Sequence, residues 1–300
     1  MIPAHQTRIL FKSELLRVLD YRCAGEDGRT PQEEYATAHE IILPRSGAYL
    51  TRSAAGEFLV DPNQVLFFNR GQDYRVTHPL PGGDRSTVFI LRPDVLLEVL
   101  GAARPRSEAH PDRPFSCFHA TLDTRLRLAQ YWLLQNIDFE TAHSLQVEES
   151  LLLLLGELLA ALEGQAGRSN GSAAYHSGRD GRELVERVKL VLGERYREAI
   201  RLDDIARATY ASPFHLCRVF KHQTGLPIHR YLTRLRLHQS LEDLLDQPGA
   251  PLSRIALDLG FASHNHFTSA FRAEFGLTPR AFRRAASSRS LRQLRNFLEA

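Results

Sequence analysis

Short β-rich segments alternate with turn residues over residues 39–91. Six runs of apolar and β-branched residues are separated there by Gly, Pro, Asn and Asp. Several short strands at such regular spacing are typical of a β-barrel or a β-sandwich. Helical periodicity then takes over at residues 93–101 and about 121–163, where apolar side chains recur at i, i+3 and i+4. The first half of the chain is therefore predicted to be a β-rich domain with flanking helices.

The leucine-rich part of the second helical segment supports two interpretations. The positions that follow the helical period are Leu145, Glu148, Leu152, Leu155, Leu159 and Leu162. Such a stripe packs either inside its own domain or against a second copy of the chain, and periodicity does not distinguish the two.

A change in composition marks the predicted domain boundary. Residues 164–181 are rich in Gly and Ser and poor in apolar residues, which is typical of a flexible linker. Residues 182–286 then show about seven short helical segments, and residues 287–300 form a tail. We therefore divide the chain into a domain at 1–163, a linker, a helical domain at 182–286 and a C-terminal tail.

The helical domain contains an internal repeat. The segment Ile205–Pro227 is similar to Ile255–Pro279, at an offset of 50 residues that becomes 51. Each copy carries a serine that can cap the start of its second helix and a glycine that can end it. The serines are Ser212 and Ser263, and the glycines are Gly225 and Gly276. Two helices joined by a tight turn, with the second exposed on one face, predict a helix-turn-helix in each copy.

The segment between the copies predicts how the two units are spaced. A helix over residues 228–245 would be about 27 Å long. Successive major grooves on one side of DNA lie about 34 Å apart. One connecting helix could therefore place both second helices in adjacent major grooves.

The repeat resembles a known family. The segment LSRIALDLGFASHNHFTSAFRAEFGLTPRAFRR and its partner SPFHLCRVFKHQTGLP are similar to the AraC/XylS family of bacterial transcriptional regulators over about residues 183–285. The resemblance implies two helix-turn-helix motifs bound to adjacent major grooves. Residues 39–95, including DPNQVLFFNRGQDYRVTHP, resemble the cupin-type sensing domain of that family. The expected fold is α+β and multidomain, with an N-terminal cupin-like β-barrel and a C-terminal all-α domain.

Helical geometry and the resemblance together give the expected DNA contacts. Leu216, Val219 and Phe220 are expected on the buried face, which turns Arg218 outward as a donor to guanine. In the second copy Asn265 suits adenine. The expected base contacts are Phe214, Cys217, Arg218, His264, Asn265, Thr268 and Ser269. The expected phosphate contacts are Ser212, His215, Lys221, Arg254, Ser263, His266, Arg272 and Arg284.

Four further positions have their own expectations. Cys217 departs from the long polar residue often found there in the family, and a redox role for it stays open. Arg236 falls where the family has an arginine that braces the two halves of the domain. Arg234 and Arg283 are additional candidates for phosphate contact.

Charge supports a nucleic-acid partner for the second part only. Residues 1–180 carry 18 Lys and Arg against 23 Asp and Glu, whereas residues 181–300 carry 20 against 12. A basic segment joined to an acidic one indicates that the C-terminal part faces a polyanion.

A cupin-type metal-dependent enzyme fused to a helical domain is the alternative from a different class. Such an enzyme needs closely spaced histidines and a carboxylate. His39 and Glu40 are adjacent, so they point to opposite faces of a strand, and His78 has no neighbouring histidine. With Tyr74, these histidines are taken as ordinary polar side chains. We therefore expect no catalytic residues, no metal and no cofactor.

The remaining expectations concern partners and location. We expect an activator, the commoner role in the family, that binds double-stranded DNA, forms a homodimer through its N-terminal domain and contacts RNA polymerase. The N-terminal domain senses a small-molecule effector of unknown identity and site, or, in the second alternative, serves only for dimerisation. Three widely spaced cysteines and a start without an apolar signal core predict a reducing, cytoplasmic location without membrane insertion.

Overall fold

A computed structural model describes most of the chain. The described residues are 5–25, 32–53, 56–103, 110–137, 144–169 and 179–288. They contain a β-rich first half and a helical second half, in agreement with the fold class expected from the pattern of apolar residues.

Ten strands lie among the described residues of the β-rich half. They are β1 (His5–Lys12), β2 (Leu16–Cys23), β3 (Gln32–Tyr35), β4 (Glu40–Gly47), β5 (Tyr49–Ser53), β6 (Gly56–Val60), β7 (Gln64–Phe68), β8 (Asp73–Thr77), β9 (Asp84–Leu91) and β10 (His119–Thr121). Strands β4 to β9 correspond to the six runs that the sequence predicts between residues 39 and 91. Strands β1 and β2 were not predicted, although they pair with each other and β2 pairs with β9.

The strands form two antiparallel sheets. The first has six strands in the order β1-β2-β9-β4-β7-β10, and the second has four in the order β3-β8-β5-β6. One face of the six-stranded sheet packs on the four-stranded sheet, with Ile42, Phe68 and Val88 in the shared core. Residues along β7 are all buried, which means that both faces of this sheet are covered.

The expected cupin-like β-barrel is not confirmed. Among the described residues the strands lie in two sheets, and no closed barrel is formed. A sandwich and a barrel both consist of short strands separated by turns, so both fit the same sequence pattern. Here helices cover the second face of the larger sheet, and the sheet does not need to close on itself.

Helices cover the outer face of the six-stranded sheet. They are α1 (Pro93–Ala103), α2 (Thr124–Ile137) and α3 (Ser144–Ser169). On α3 the buried apolar side chains include Val147, Leu151, Leu154, Leu155, Leu158 and Leu159. Leu155 and Leu159 of the predicted stripe therefore pack inside the domain, whereas Leu145 is exposed, as is Leu153. The side chain of Leu162 lies outside the described residues.

Seven helices form the second half of the described chain. They are α4 (Arg179–Arg195), α5 (Leu202–Thr209), α6 (Pro213–Thr224), α7 (Ile228–Asp246), α8 (Leu252–Asp258), α9 (His264–Phe275) and α10 (Pro279–Ser288). Helix α3 extends to Ser169, into the start of the predicted linker, and residues 170–178 and most of the predicted tail lie outside the described residues. The domain division itself stays a prediction.

Each copy of the repeat has its own core. Leu216, Phe220 and Tyr231 pack with α4 and α5 around the first copy. Phe267, Phe271 and other residues of α7 to α10 surround the second. That second core also contains Leu128 and Tyr131 of α2, which belong to the first half of the chain.

Helix α7 is tied to the first half by buried hydrogen bonds. The hydroxyl of Tyr231 donates to Asp61 Oδ2 at 2.5 Å. His238 Nδ1 donates to the carbonyl of Pro62 at 3.0 Å. Burial raises the pKa of Asp61 and holds the pKa of His238 well below its usual value. His238 is therefore neutral in the folded protein.

An ion-pair network extends this contact towards the end of α7. Arg85 Nη1 donates to Glu242 at 3.1 Å and to Asp246 at 2.5 Å. Arg45 contacts both Glu242 and Asp20. Since Glu242 is buried, its charge depends on these two arginines for compensation.

Within the part of the chain that the structure describes, no helix is both long enough and apolar enough to cross a membrane.

Phe220→Ala is expected to destabilise the protein strongly. Phe220 is fully buried and packs edge-on against Tyr231, with ring centroids 5.3 Å apart. Truncation of a buried aromatic side chain costs about 3–5 kcal/mol of unfolding free energy. Phe214→Ala on the same helix is the matched control, because Phe214 is 79% exposed and the expected change is within about 0.5 kcal/mol. Denaturant unfolding followed by circular dichroism measures both, and equal effects would contradict the assigned helix faces.

Stability is expected to fall as the pH drops below about 6.5, the usual pKa of histidine. The unfolded chain then takes up a proton that buried His238 does not, and each such histidine contributes up to about 1.4 kcal/mol per pH unit. His238→Asn keeps a donor for Pro62 but does not titrate, so the slope of unfolding free energy against pH should become smaller. The slope should not fall to zero, because burial also lowers the pKa of His119 to about 4, so this histidine contributes to the slope as well. The exposed His222→Asn is the control, and a slope unchanged by His238→Asn would refute the prediction.

Candidate DNA-binding interface

Helix α6 begins and ends as its sequence predicts. The side-chain oxygen of Ser212 accepts a hydrogen bond from the backbone N–H of His215 at 3.3 Å, and Pro213 occupies the first helical position. Gly225 ends the helix at φ 74°, a left-handed conformation that glycine adopts without a steric penalty. These caps fix the length of α6 and so determine which side chains face outward.

The outward face of α6 carries the residues expected to contact bases. Leu216, Val219 and Phe220 are buried, which leaves the opposite side of the helix open. Phe214, Cys217 and Arg218 are all exposed, as is Lys221 in the next turn. The face combines an aromatic ring, a thiol and two cations, and its contacts with DNA stay a prediction.

Helix α9 repeats this construction. Ser263 accepts from the N–H of His266 at 3.1 Å, and Gly276 closes the helix at φ 76°. Phe267, Phe271 and Phe275 are the buried residues of the helix. The two copies therefore present their second helices through the same pair of caps and a similar apolar face.

The outward face of α9 is more polar than that of α6. His264, Asn265 and Ser269 are exposed, and Thr268 is half-buried with its hydroxyl 3.4 Å from His264 Nε2. Asn265 offers both an amide donor and a carbonyl acceptor, the combination that pairs with adenine. His266 lies edge-on to Phe261, with ring centroids 5.4 Å apart.

The expected phosphate contacts are also on the surface. Ser212, His215, Lys221, Arg254, Ser263, His266, Arg272 and Arg284 are all exposed. Two of them, the capping serines, already accept a backbone N–H through their hydroxyl oxygens. Arg254 lies 3.5 Å from Asp258 across an exposed helical turn, an arrangement that contributes little to stability.

Two other arginines, Arg234 and Arg283, have partners inside the protein. Arg234 donates from Nε to Glu274 at 2.5 Å and also bonds Thr124 of α2. Arg283 donates to the carbonyl of Ala250 at 3.0 Å, and burial lowers its pKa. Their guanidinium groups join parts of the protein, and a contact of either with phosphate stays a prediction.

Arg236 joins the segment that follows α4 to the second copy of the repeat. It donates to the carbonyl oxygens of Tyr196 and Glu198, just after α4, at 2.6 Å each. Its guanidinium carbon also lies 5.8 Å from the centre of the Phe261 ring in the second copy. Burial lowers the pKa of Arg236. The bracing of the two halves by Arg236, which the family resemblance implies, stays a prediction.

Tyr210 is a candidate contact that the sequence reasoning missed. It ends α5 at φ 55°, and its side chain is 97% exposed in the turn before α6. The repeat places Gly260 at the matching position, at φ 78°. The turn thus requires a left-handed residue in both copies, and a non-glycine residue there costs about 1–2 kcal/mol. The offset of 50 residues was the signal that could have identified it.

Comparison with known proteins identifies the repeat. A family model described as a helix-turn-helix domain matches residues 205–285. The transcriptional activator RhaS of Escherichia fergusonii is 40% identical over 92 residues, which are 31% of this chain and 33% of RhaS. The Msm operon regulatory protein of Streptococcus mutans serotype c is 29% identical over 133 residues, 44% of this chain and 48% of that protein. The chain therefore matches less than half of the length of either relative.

Two further proteins resemble nearly the whole chain. The HTH-type transcriptional regulator YbfI of Bacillus subtilis is 27% identical over 265 residues, covering 87% of this chain and 90% of YbfI. The crystal structure of ToxT from Vibrio cholerae O395 covers 92% of this chain and 99% of ToxT, with 12% identity and a TM-score of 0.36. Structural similarity at that level carries no functional inference.

The duplicated, capped helix pairs and the relatives named above agree with each other. The similarity is strongest in the segment that holds both helix-turn-helix units. The relatives named above are transcriptional regulators rather than enzymes. Residues 205–285 match a helix-turn-helix domain, and the chain is similar to transcriptional regulators such as RhaS and YbfI.

Proposed function

We propose that the protein is a sequence-specific DNA-binding transcriptional regulator whose helices α6 and α9 enter adjacent major grooves. The observation that carries this proposal is the pair of exposed polar faces on two helices with the same caps. Helix α7 joins them with 19 residues, which is about 28 Å of helix. That length is close to the roughly 34 Å between successive major grooves. A chromosomal DNA partner places the protein in the cytoplasm.

In this proposal the two helices have different tasks. Helix α6 supplies a bidentate donor for guanine, Arg218, and an aromatic side chain, Phe214, for contact with a thymine methyl group. Helix α9 supplies Asn265 for adenine. The surrounding cations, including Lys221 and Arg272, hold the phosphates and set the register on the duplex without specifying its sequence.

The β-rich half is proposed to regulate this activity by binding an effector. A surface cavity of about 390 Å³ lies where β2, β9 and the start of α1 meet. Its lining combines apolar side chains with four cationic ones, Lys12, Arg17, Arg70 and Arg92, and one carboxylate, Glu14. Arg92 already pairs with Asp94 at 2.6 Å. A small organic anion with an apolar part has the matching chemistry.

Helix α7 offers a route from that half to the DNA-binding units. It contacts Asp61 and Pro62 through buried hydrogen bonds, and it connects α6 to α9. An effector that prefers one position of the sheet relative to α7 would shift the equilibrium between two arrangements of the units. We further propose an activator that works as a homodimer, with exposed Leu145 and Leu153 of α3 in the contact, and that engages RNA polymerase.

Arg218→Ala should weaken binding to the preferred DNA site by about 1–3 kcal/mol and relax the preference at one base pair. The reason is the loss of a bidentate contact to a single base. Lys221→Ala is the matched control on the next turn, where loss of a phosphate contact weakens binding equally on all sequences and lowers the salt slope by about 1. Selection of sites from a random DNA pool, followed by fluorescence anisotropy at several salt concentrations, measures both. If Arg218→Ala weakened binding equally on all DNA sequences, Arg218 would not be a base contact.

Binding of a small organic anion should be detectable by titration calorimetry of the full chain against a panel of carboxylates and sugar phosphates. Arg70→Ala should weaken the binding at least tenfold, because it removes one of the four cavity cations. Lys221→Ala, far from the cavity, should leave it unchanged. If no panel member binds while the protein still selects a DNA site, the β-rich half serves dimerisation alone.

A further inference from the structure

Three potential metal ligands meet at one end of the β-sandwich. Cys23 is the last residue of β2, Asp84 is the first residue of β9, and the two are direct partners in the six-stranded sheet. His78 follows β8 of the other sheet. The Sγ, the imidazole nitrogen and a carboxylate oxygen of the three side chains all lie within 4.8 Å of one another. Residues far apart in sequence, from both sheets, thus form one cluster.

The carboxylate at the centre of the cluster is held in a fixed orientation. Asp84 is buried, and its Oδ1 accepts from His78 Nε2 at 2.8 Å. The other oxygen, Oδ2, accepts from the hydroxyl of Ser86 at 3.2 Å. A hydrogen bond of this kind to a carboxylate is the usual outer support of a metal ligand.

The strand ends that carry Cys23 and Asp84 are also fixed by backbone packing. Gly83 adopts φ 66°, and a Cβ on it would lie 1.9 Å from the carbonyl oxygen of Cys23. Only glycine permits this close approach. The separation of the two strand ends that carry the thiol and the carboxylate is therefore set by the main chain.

The donor set selects the class of metal. Thiolate and imidazole are ligands for zinc and similar transition metals, whereas magnesium and calcium prefer oxygen donors only. Cys23 is not in a disulfide, which leaves its sulfur able to coordinate. Three protein ligands would leave a fourth position of a tetrahedral ion for water.

The distance between His78 and Asp84 is close to the one that coordination needs. Nitrogen and oxygen ligands about 2.0 Å from a tetrahedral zinc ion lie about 3.3 Å apart. The 2.8 Å between His78 and Asp84 would open by about half an ångström as the ion replaces the shared proton. The side chain of His78 is 13% exposed, so an ion can reach the cluster from solvent.

We propose that Cys23, His78 and Asp84 bind one Zn²⁺ ion, with Cys23 as the thiolate. The ion joins the two sheets at the end where Asp84 is followed by Arg85, whose guanidinium group bonds Glu242 and Asp246 of α7. Zinc at this place therefore lies next to the contact between the β-rich half and the DNA-binding half. This proposal is independent of DNA binding, and metal binding alone tests it.

The test uses the full chain, reduced and stripped of metal by a chelator. Zn²⁺ is added in competition with a chromophoric chelator, and Co²⁺ is used in parallel as a spectroscopic probe. We expect one equivalent of tightly bound metal and a thiolate-to-cobalt charge-transfer band. Cys23→Ser should abolish that band and weaken Zn²⁺ binding at least tenfold, while Cys117→Ser should change neither.

Variants of the other two ligands complete the experiment. His78→Ala should weaken Zn²⁺ binding at least tenfold, with circular dichroism showing that the metal-free variant is folded. Because Asp84 is buried, the Asp84→Asn variant is measured only if circular dichroism shows that it folds. If it does not fold, the result for Cys23→Ser decides the outcome. Absence of competition with the chelator, or equal binding by the protein and Cys23→Ser, would show that the cluster is a hydrogen-bonded His–Asp pair beside a thiol that does not coordinate.

Discussion

Helix α7 imposes the constraint on which the arrangement of the molecule depends. It is buried along most of its length, yet it carries Tyr231, Arg236, His238 and Glu242 inside. A buried polar group without a partner costs about 1–3 kcal/mol, and a buried charge without one costs more. Each of these groups finds a partner, in the β-rich half or in the segment after α4. The packing of α7 therefore positions the β-rich half and both helix-turn-helix units together.

Local chemistry made the helical half predictable. Ser212, Ser263, Gly225 and Gly276 act within a few residues of their position, so the ends of α6 and α9 agree with the sequence. The period of the apolar residues then indicated which faces are buried. The six strands between residues 39 and 91 were equally predictable, because turn residues separate them at regular intervals.

Contacts between residues that are far apart in the chain left no comparable signal in the sequence. Strand β1 is largely exposed at the edge of its sheet and lacks a clear alternation of buried and exposed positions. A barrel and a sandwich share the same strand pattern, and only the pairing order separates them. Arg234 looked like any basic residue until the fold placed it against Glu274 and Thr124. His78 likewise had no neighbouring ligand in sequence, since Asp84 and Cys23 approach it only through strand pairing.

The position of α2 shows that the two halves share more than a linker. Leu128 and Tyr131 of α2 lie in the apolar core of the second helix-turn-helix unit, whereas the core of the first unit contains residues from α4 onward only. The first unit contacts the β-rich half in another way. Tyr231 of its core bonds Asp61, and Glu186 of α4 accepts a hydrogen bond from the backbone N–H of Leu59 at 2.6 Å. A movement of the β-rich half would therefore reach the two units through different contacts, a shared apolar core for the second and buried hydrogen bonds for the first, even though their caps and apolar faces are alike.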